Sequence, residues 1–188
     1  MGCGTPRDFV LVWINPTWQL RKDSIMDVKS PLIINVDNRQ TLSLNGKWQT
    51  IVDLYDAGYY DSHMAIEENG FFRNEKPKDK SDRVEYEFLP ANNLLVPGDW
   101  NTQQEKLYYY EGTVWYKKDF DYKLEKGRRL FVYFGGANYM TNVYCNGEKL
   151  GDHEGGFTPF NFEITDLVKE KDNFIVARVN AERKDDAV

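Results

Sequence analysis

Apolar and polar residues alternate with a period of two over much of the chain. That period is the signature of strands with one face on a core. Residues 113–120 show it most fully: Val114, Tyr116 and Phe120 fall on one side, Lys117 and Asp119 on the other. Residues 47–52 alternate after Asn45-Gly46, and residues 83–88 alternate strictly, with Val84, Tyr86 and Phe88 together. Residues 173–179 split into Ile175, Ala177 and Val179 against Phe174, Val176 and Arg178. Residues 130–134 are continuously apolar and aromatic, the pattern of a strand covered on both faces. Residues 32–36 are β-branched and predict a further strand. Residues 142–145 and 148–150 flank Asn146-Gly147, which suits a type I′ hairpin because both turn positions require φ > 0.

Helical signals are slight. Residues 165–169 predict at most one turn, with Thr165 as its cap. Residues 53–81, rich in Tyr, Gly, Asn and charge, read as a long excursion between strands. About eight short strands with almost no helix predict an all-β protein, an antiparallel β-sandwich. Residues 1–29 lack either periodicity and turn chemistry that would join them to the rest, so they are expected to be an irregular, poorly ordered leader. The regular domain is expected to run over residues 30–188.

Composition narrows the function. The 188 residues carry 24 Lys+Arg against 30 Asp+Glu, a net charge of −6, which argues against a nucleic-acid partner. Aromatic residues make up 15% of the chain, enough large side chains for a core despite its polarity. A complete (β/α)₈ barrel does not fit, since that fold needs at least about 200 residues. The longest clean apolar run is Phe9 to Ile14, too short to span a membrane, and its flanks lack the marks of a signal peptide. No membrane partner is expected, and no compartment follows. Of the two cysteines, Cys145 sits in an alternating stretch and reads as a small buried thiol, so no disulfide framework is expected.

Candidate chemistry is sparse. His63 and His153 are the only histidines, and no Ser or Cys is placed with a convincing base. There is no phosphate-binding glycine loop and no cysteine-rich metal spacing, so neither a cofactor nor a metal is expected. Asp152, His153 and Glu154 are three neighbours that read as a solvated loop rather than a metal site. Glu67-Glu68 and Asp185-Asp186 lie in polar runs with nothing apolar to raise a pKa. The aromatic stretch around Trp100 and residues 107–116 has amides and carboxylates nearby. Aromatic rings stack on the C–H faces of sugars, so this stretch fits a carbohydrate-facing surface; filling the core or a domain interface is the other reading.

Several segments, in order, resemble glycoside hydrolase family 2. They are Ser43-Leu44-Asn45-Gly46-Lys47-Trp48, Val96-Pro97-Gly98-Asp99-Trp100 and Glu111-Gly112-Thr113-Val114-Trp115-Tyr116 through Phe120. Then follow Leu130 through Ala137, Val143-Tyr144-Cys145-Asn146-Gly147-Glu148, Gly151 through Phe160, Asn161 through Leu167, and Asn173 through Val176. The resemblance runs from Pro31 to the end of the chain. It implies the N-terminal sugar-binding domain of a β-galactosidase or β-glucuronidase type enzyme, a jelly-roll sandwich like galactose-binding domains. It also implies partners: a β-galactoside or β-glucuronide, and the immunoglobulin-like and barrel domains in which such chains continue. The barrel supplies both glutamates of retaining hydrolysis, so no catalytic residue is expected in this sequence.

The resemblance further implies a substrate contact. In those enzymes an aspartate of this domain reaches the sugar, and Glu163 in Phe162-Glu163-Ile164-Thr165 stands at the matching position, one methylene longer. Tyr110 and Glu111 lie where a galactosidase loop also approaches the sugar. For Glu163 the other reading is a strand-end glutamate facing solvent. Two further functions remain beside the glycosidase reading: an autonomous carbohydrate-binding module, and a structural interaction domain.

Overall fold

In the computed structural model, residues 7–14, 32–60, 65, 70 and 87–182 are described, and of 7–14 only the strand and its pairing. Among the described residues the strands are β1 (Arg7–Ile14), β2 (Thr41–Ser43), β3 (Gly46–Asp53), β4 (Asn93–Val96) and β5 (Thr113–Phe120). They continue with β6 (Arg129–Gly136), β7 (Met140–Cys145), β8 (Glu148–Glu154), β9 (Phe160–Glu163) and β10 (Asn173–Asn180). Every recorded pairing is antiparallel. One sheet has the order β2-β1-β6-β9 and the other β4-β3-β5-β10-β7-β8. The all-β antiparallel sandwich expected from periodicity is therefore the fold.

Alternation decides which side chains meet between the sheets. Val114, Tyr116 and Phe120 of β5 and Ile175, Ala177 and Val179 of β10 face Leu130, Val132 and Phe134 of β6 across one core, with Trp48 and Phe160. The opposite face of the larger sheet carries a second cluster, Ile51, Trp115, Tyr144 and Val176, packed against Tyr59, Phe88 and Phe174. Its cover includes Tyr59 and Phe88 from the connection between β3 and β4, and Lys117 on the same face is buried, its ammonium over the Phe174 ring at 5.8 Å. Its ammonium is held by Asp119 at 2.8 Å. The hairpin between β7 and β8 turns as expected, with φ of 51° at Asn146 and 90° at Gly147.

Four expectations are corrected. Residues 32–36 form no strand: Asn35 adopts the left-handed region at φ 59° and a 3-10 turn follows over Val36–Asn38. Ile33 is buried all the same, against Phe131, and its N–H donates to the Asn161 side chain rather than to a ladder. The leader is not wholly irregular, because Arg7–Ile14 is a strand paired with both β2 and β6. Its apolar run is rich in β-branched residues, and its partners are remote in sequence, which is why no local turn announces it. The single turn expected at residues 165–169 is present, Leu167 and Val168 donating to Ile164 O, but Thr165 does not cap it: its hydroxyl accepts from Leu130 N–H at 2.9 Å. Residues 152–154 are not a loop but part of β8, where His153 stacks on Phe160 at 4.0 Å. Alternation then sends Asp152 and Glu154 to the other face from His153.

One short helix, α1 (Trp100–Gln103), is capped by Asp99, which accepts from Thr102 N–H at 2.9 Å. Its Gln103 side chain closes the edge of β4 by accepting from Leu95 N–H at 2.6 Å and donating to Leu95 O at 3.0 Å. An amide thus bonds an edge of β4 that no strand among the described residues pairs. Among the described residues no helix is long and apolar enough to cross a membrane. The residues 83–86, His63, Glu67, Glu68, Asp185, Asp186 and Cys3 lie outside the described set.

Candidate functional site

Glu163 closes β9 opposite Phe131 of β6. Two residues earlier on β6, on the same outer face, stands Arg129. Its guanidinium forks onto the carboxylate: Nε donates to Oε1 at 2.9 Å and Nη2 to Oε2 at 2.5 Å. Thr165 Oγ1 adds a third bond to Oε1 at 2.7 Å. The guanidinium also lies over the Phe131 ring at 5.0 Å, so an apolar floor fixes its plane. Glu163 is neither loose in solvent nor buried, its side chain being 30% exposed.

These bonds hold the Glu163 carboxyl below the usual carboxylate range, Arg129 contributing most, Thr165 adding to it and partial burial opposing both. The same pair raises Arg129. A carboxyl lowered in the folded state stabilises the fold above its unfolded pKa, roughly 4.3, and loses that contribution as pH falls through the folded value. The melting-temperature gap between the parent chain and Glu163→Gln is accordingly expected to be constant from about pH 7 to 5 and to shrink below about pH 4. A gap that stays constant down to about pH 3 would show that the carboxyl is not held ionised by Arg129.

Tyr110 is oriented by its neighbours rather than presented to solvent. Trp100 Nε1 and Asn101 Nδ2 both donate to Tyr110 O at 3.1 Å, and the indole packs on the ring at 6.2 Å. The phenol reaches the carbonyls of Asp53 and Thr113, at 3.0 and 2.9 Å. Gly112 permits this, because a Cβ there would sit 2.7 Å from the Tyr110 hydroxyl. Burial, with the nearby Asp53 and Asp56 charges, pushes the phenol up to about 12. Glu111 is exposed and lines a shallow cleft of about 220 Å³ with Leu54, Tyr55, Asp56, Asn180 and Glu182. That volume is below the roughly 300–1,000 Å³ of ordinary small-molecule pockets.

The two sets of residues lie at opposite ends of the sandwich. Register aligns Met140 with Asn180, Asn180 with Thr113, and Thr113 with Asp53, which places Tyr110 and Glu111 at the end where β6 passes into β7. Glu163 lies at the other end, where β6 begins. Sequence reasoning missed Arg129 and Thr165 as its partners. The only signal for Arg129 was a basic pair before an apolar strand, and its use depends on the β6–β9 register. Among the described residues no group of His, Cys, Asp and Glu could hold a metal.

The family model described as glycosyl hydrolases family 2, sugar binding domain, matches residues 41–187. A β-glucuronidase of Bacteroides fragilis is 41% identical over 96 residues, 48% of this chain and 14% of that protein. A β-galactosidase of Thermoanaerobacter pseudethanolicus is 32% identical over 122 residues, 58% of this chain and 16% of that protein. The chain therefore spans only about a sixth or less of these curated relatives. Among solved structures, an uncultured Clostridium β-glucuronidase aligns over 84% of this chain and 24% of its own, with TM-score 0.55 and 28% identity. A Ruminococcus gnavus β-glucuronidase aligns over 76% of this chain and 21% of its own, with TM-score 0.58 and 25% identity.

Proposed function

Because the chain belongs to the sugar-binding domain family of the family 2 glycosyl hydrolases, we propose that it serves a retaining exo-β-glycosidase of the β-glucuronidase or β-galactosidase type. In this reading the domain, to which the strand Arg7–Ile14 also belongs, shapes the substrate entrance and does not break the bond. The two carboxylates of the reaction come from a barrel domain beyond this sequence, and an immunoglobulin-like domain lies between. The substrate is a β-glucuronide or β-galactoside, and Glu163 is the residue of this domain that meets it.

The observation that carries the reading is the match of the family 2 sugar-binding domain model over residues 41–187, and the state of Glu163 agrees with it. A general acid for glycoside cleavage needs a raised pKa, whereas this carboxyl is lowered and held by three hydrogen bonds. Such a group is ionised at neutral pH, so it accepts hydrogen bonds from hydroxyls and has no proton to donate. That is the property of a sugar contact. Tyr110 and Glu111 lie at the other end, where the phenol reaches two carbonyls and Glu111 lines the cleft.

Residues 1–188 alone are expected to give no turnover of 4-nitrophenyl β-D-glucuronide or β-D-galactoside. The polypeptide continued through its own reading frame is expected to hydrolyse one of them, and Glu163→Gln is expected to raise its KM. Turnover by residues 1–188 alone, or a continued chain inactive on both substrates, would reject the reading.

A further inference from the structure

We infer that Arg129 is a positioning residue for the sugar contact, its fork on Glu163 leaving one acceptor position on Oε2 open to a sugar hydroxyl. The inference rests on the reading of Glu163 given above and goes beyond it in naming the device that makes the contact specific.

A carboxylate offers about four acceptor positions on its two oxygens. Oε1 accepts from Arg129 Nε and from Thr165 Oγ1, which fills it. Oε2 accepts from Arg129 Nη2 alone among the recorded bonds, so one position remains there. Rotation of the carboxylate would exchange the two oxygens, but the fork is planar and demands both at once. The contact of the guanidinium with the Phe131 ring favours one orientation of the fork. Thr165 is itself held, its oxygen accepting from Leu130 N–H. The carboxylate therefore presents one acceptor in one direction.

Side-chain length belongs to the same device. Glu163 faces Phe131 in the ladder, and Arg129 is its diagonal neighbour on the same face. Spanning a diagonal takes long side chains on both strands. A glutamate reaches the fork and an aspartate would fall short by one methylene. An exposed ion pair of this kind contributes little to the fold, so the arrangement matters more for orientation than for stability. Among the described residues Arg129, from β6, is the charged group that bears on the Glu163 carboxyl; Thr165, next to β9, is the neutral one.

The test uses the continued, active polypeptide, with melting temperature recorded for each variant. Arg129→Gln is expected to raise KM about tenfold with kcat little changed, because a hydrogen bond to a charged group is then lost equally from ground and transition states. Arg129→Lys keeps the charge without the fork and is expected to raise KM about threefold, a partial rescue. Melting temperatures within a few degrees of the parent exclude a merely structural effect. If KM is unchanged in Arg129→Gln while Glu163→Gln raises it, the inference is overturned and the sugar contact stands. Should the glutamine variant not fold, an unchanged KM in Arg129→Lys overturns it equally. If Glu163→Gln itself leaves KM unchanged, the sugar contact falls, and the role of Arg129 falls with it.

Discussion

Trp115→Ala is expected to destabilise the domain by about 3–5 kcal/mol, the range for removing a large buried aromatic side chain, with a further penalty for the acceptor left behind. Trp115 has no exposed surface. Tyr144 stacks on it at 6.1 Å, and Tyr59 meets it edge-on at 5.7 Å. Gly70 lies so close that a Cβ there would be 3.0 Å from the indole. The indole N–H donates to Asp53 Oδ2 at 3.0 Å. Asp53 in turn accepts from the N–H groups of Ala57 and Gly58, each at 2.9 Å, so the indole ties the connection after β3 to the sheet. Trp115→Phe keeps most of the packing and loses the hydrogen bond, and is expected to cost about 1–2 kcal/mol. Urea unfolding of both variants separates the two contributions. Since a whole domain is stable by roughly 5–15 kcal/mol, the alanine variant should stand near the edge of folding. An alanine variant within about 1 kcal/mol of the parent would mean that the outer-face cluster is not a second core.

What could be read in the chain depended on how local its cause is. β5 and β10 were legible because alternation over eight residues sorts their side chains onto two faces without help from elsewhere. The turn at Asn146-Gly147 was legible because two residues carry it. β1, β2, β4 and β9 were not: β2 and β9 have three and four residues, and β1 is an apolar run whose ladders join it to β2 and β6. Residues 32–36 misled because β-branched composition outweighed one asparagine, yet Asn35 at φ 59° bends the backbone out of any ladder. At the site, Glu163 could be marked from its motif, whereas Arg129 could not. Whether an arginine meets a glutamate across two strands is a matter of register, and a slip of one residue would put them on opposite faces. Tyr110 shows the same limit from another side. Its ring reads equally as a sugar platform or as a core residue until Trp100, Asn101 and Gly112 fix its direction.

Asp56→Ala is expected to cost about 3 kcal/mol or more, and Arg178→Met distinctly less, although each removes one member of the same pair. Arg178 lies on the outer face of β10 with only 6% of its side chain exposed, while Asp56 is 46% exposed. Arg178 Nε and Nη2 donate to Asp56 Oδ1, Nη1 donates to Asn142 Oδ1 at 2.9 Å, and the guanidinium lies over the Tyr59 ring at 4.9 Å. Removing the aspartate strands a permanently charged group beneath an aromatic ring with neutral partners only. Removing the arginine leaves a carboxylate that water can reach, with the Thr113 hydroxyl still donating to it at 2.8 Å. Combining both changes takes away the buried charge altogether, so Asp56→Ala/Arg178→Met is expected to be more stable than Asp56→Ala alone. Urea unfolding of the three variants gives the order directly. If Arg178→Met proves the costlier single change, the guanidinium is held by Asn142 and Tyr59 rather than by Asp56. The wall of the cleft beside Glu111 would then keep its shape without the ion pair.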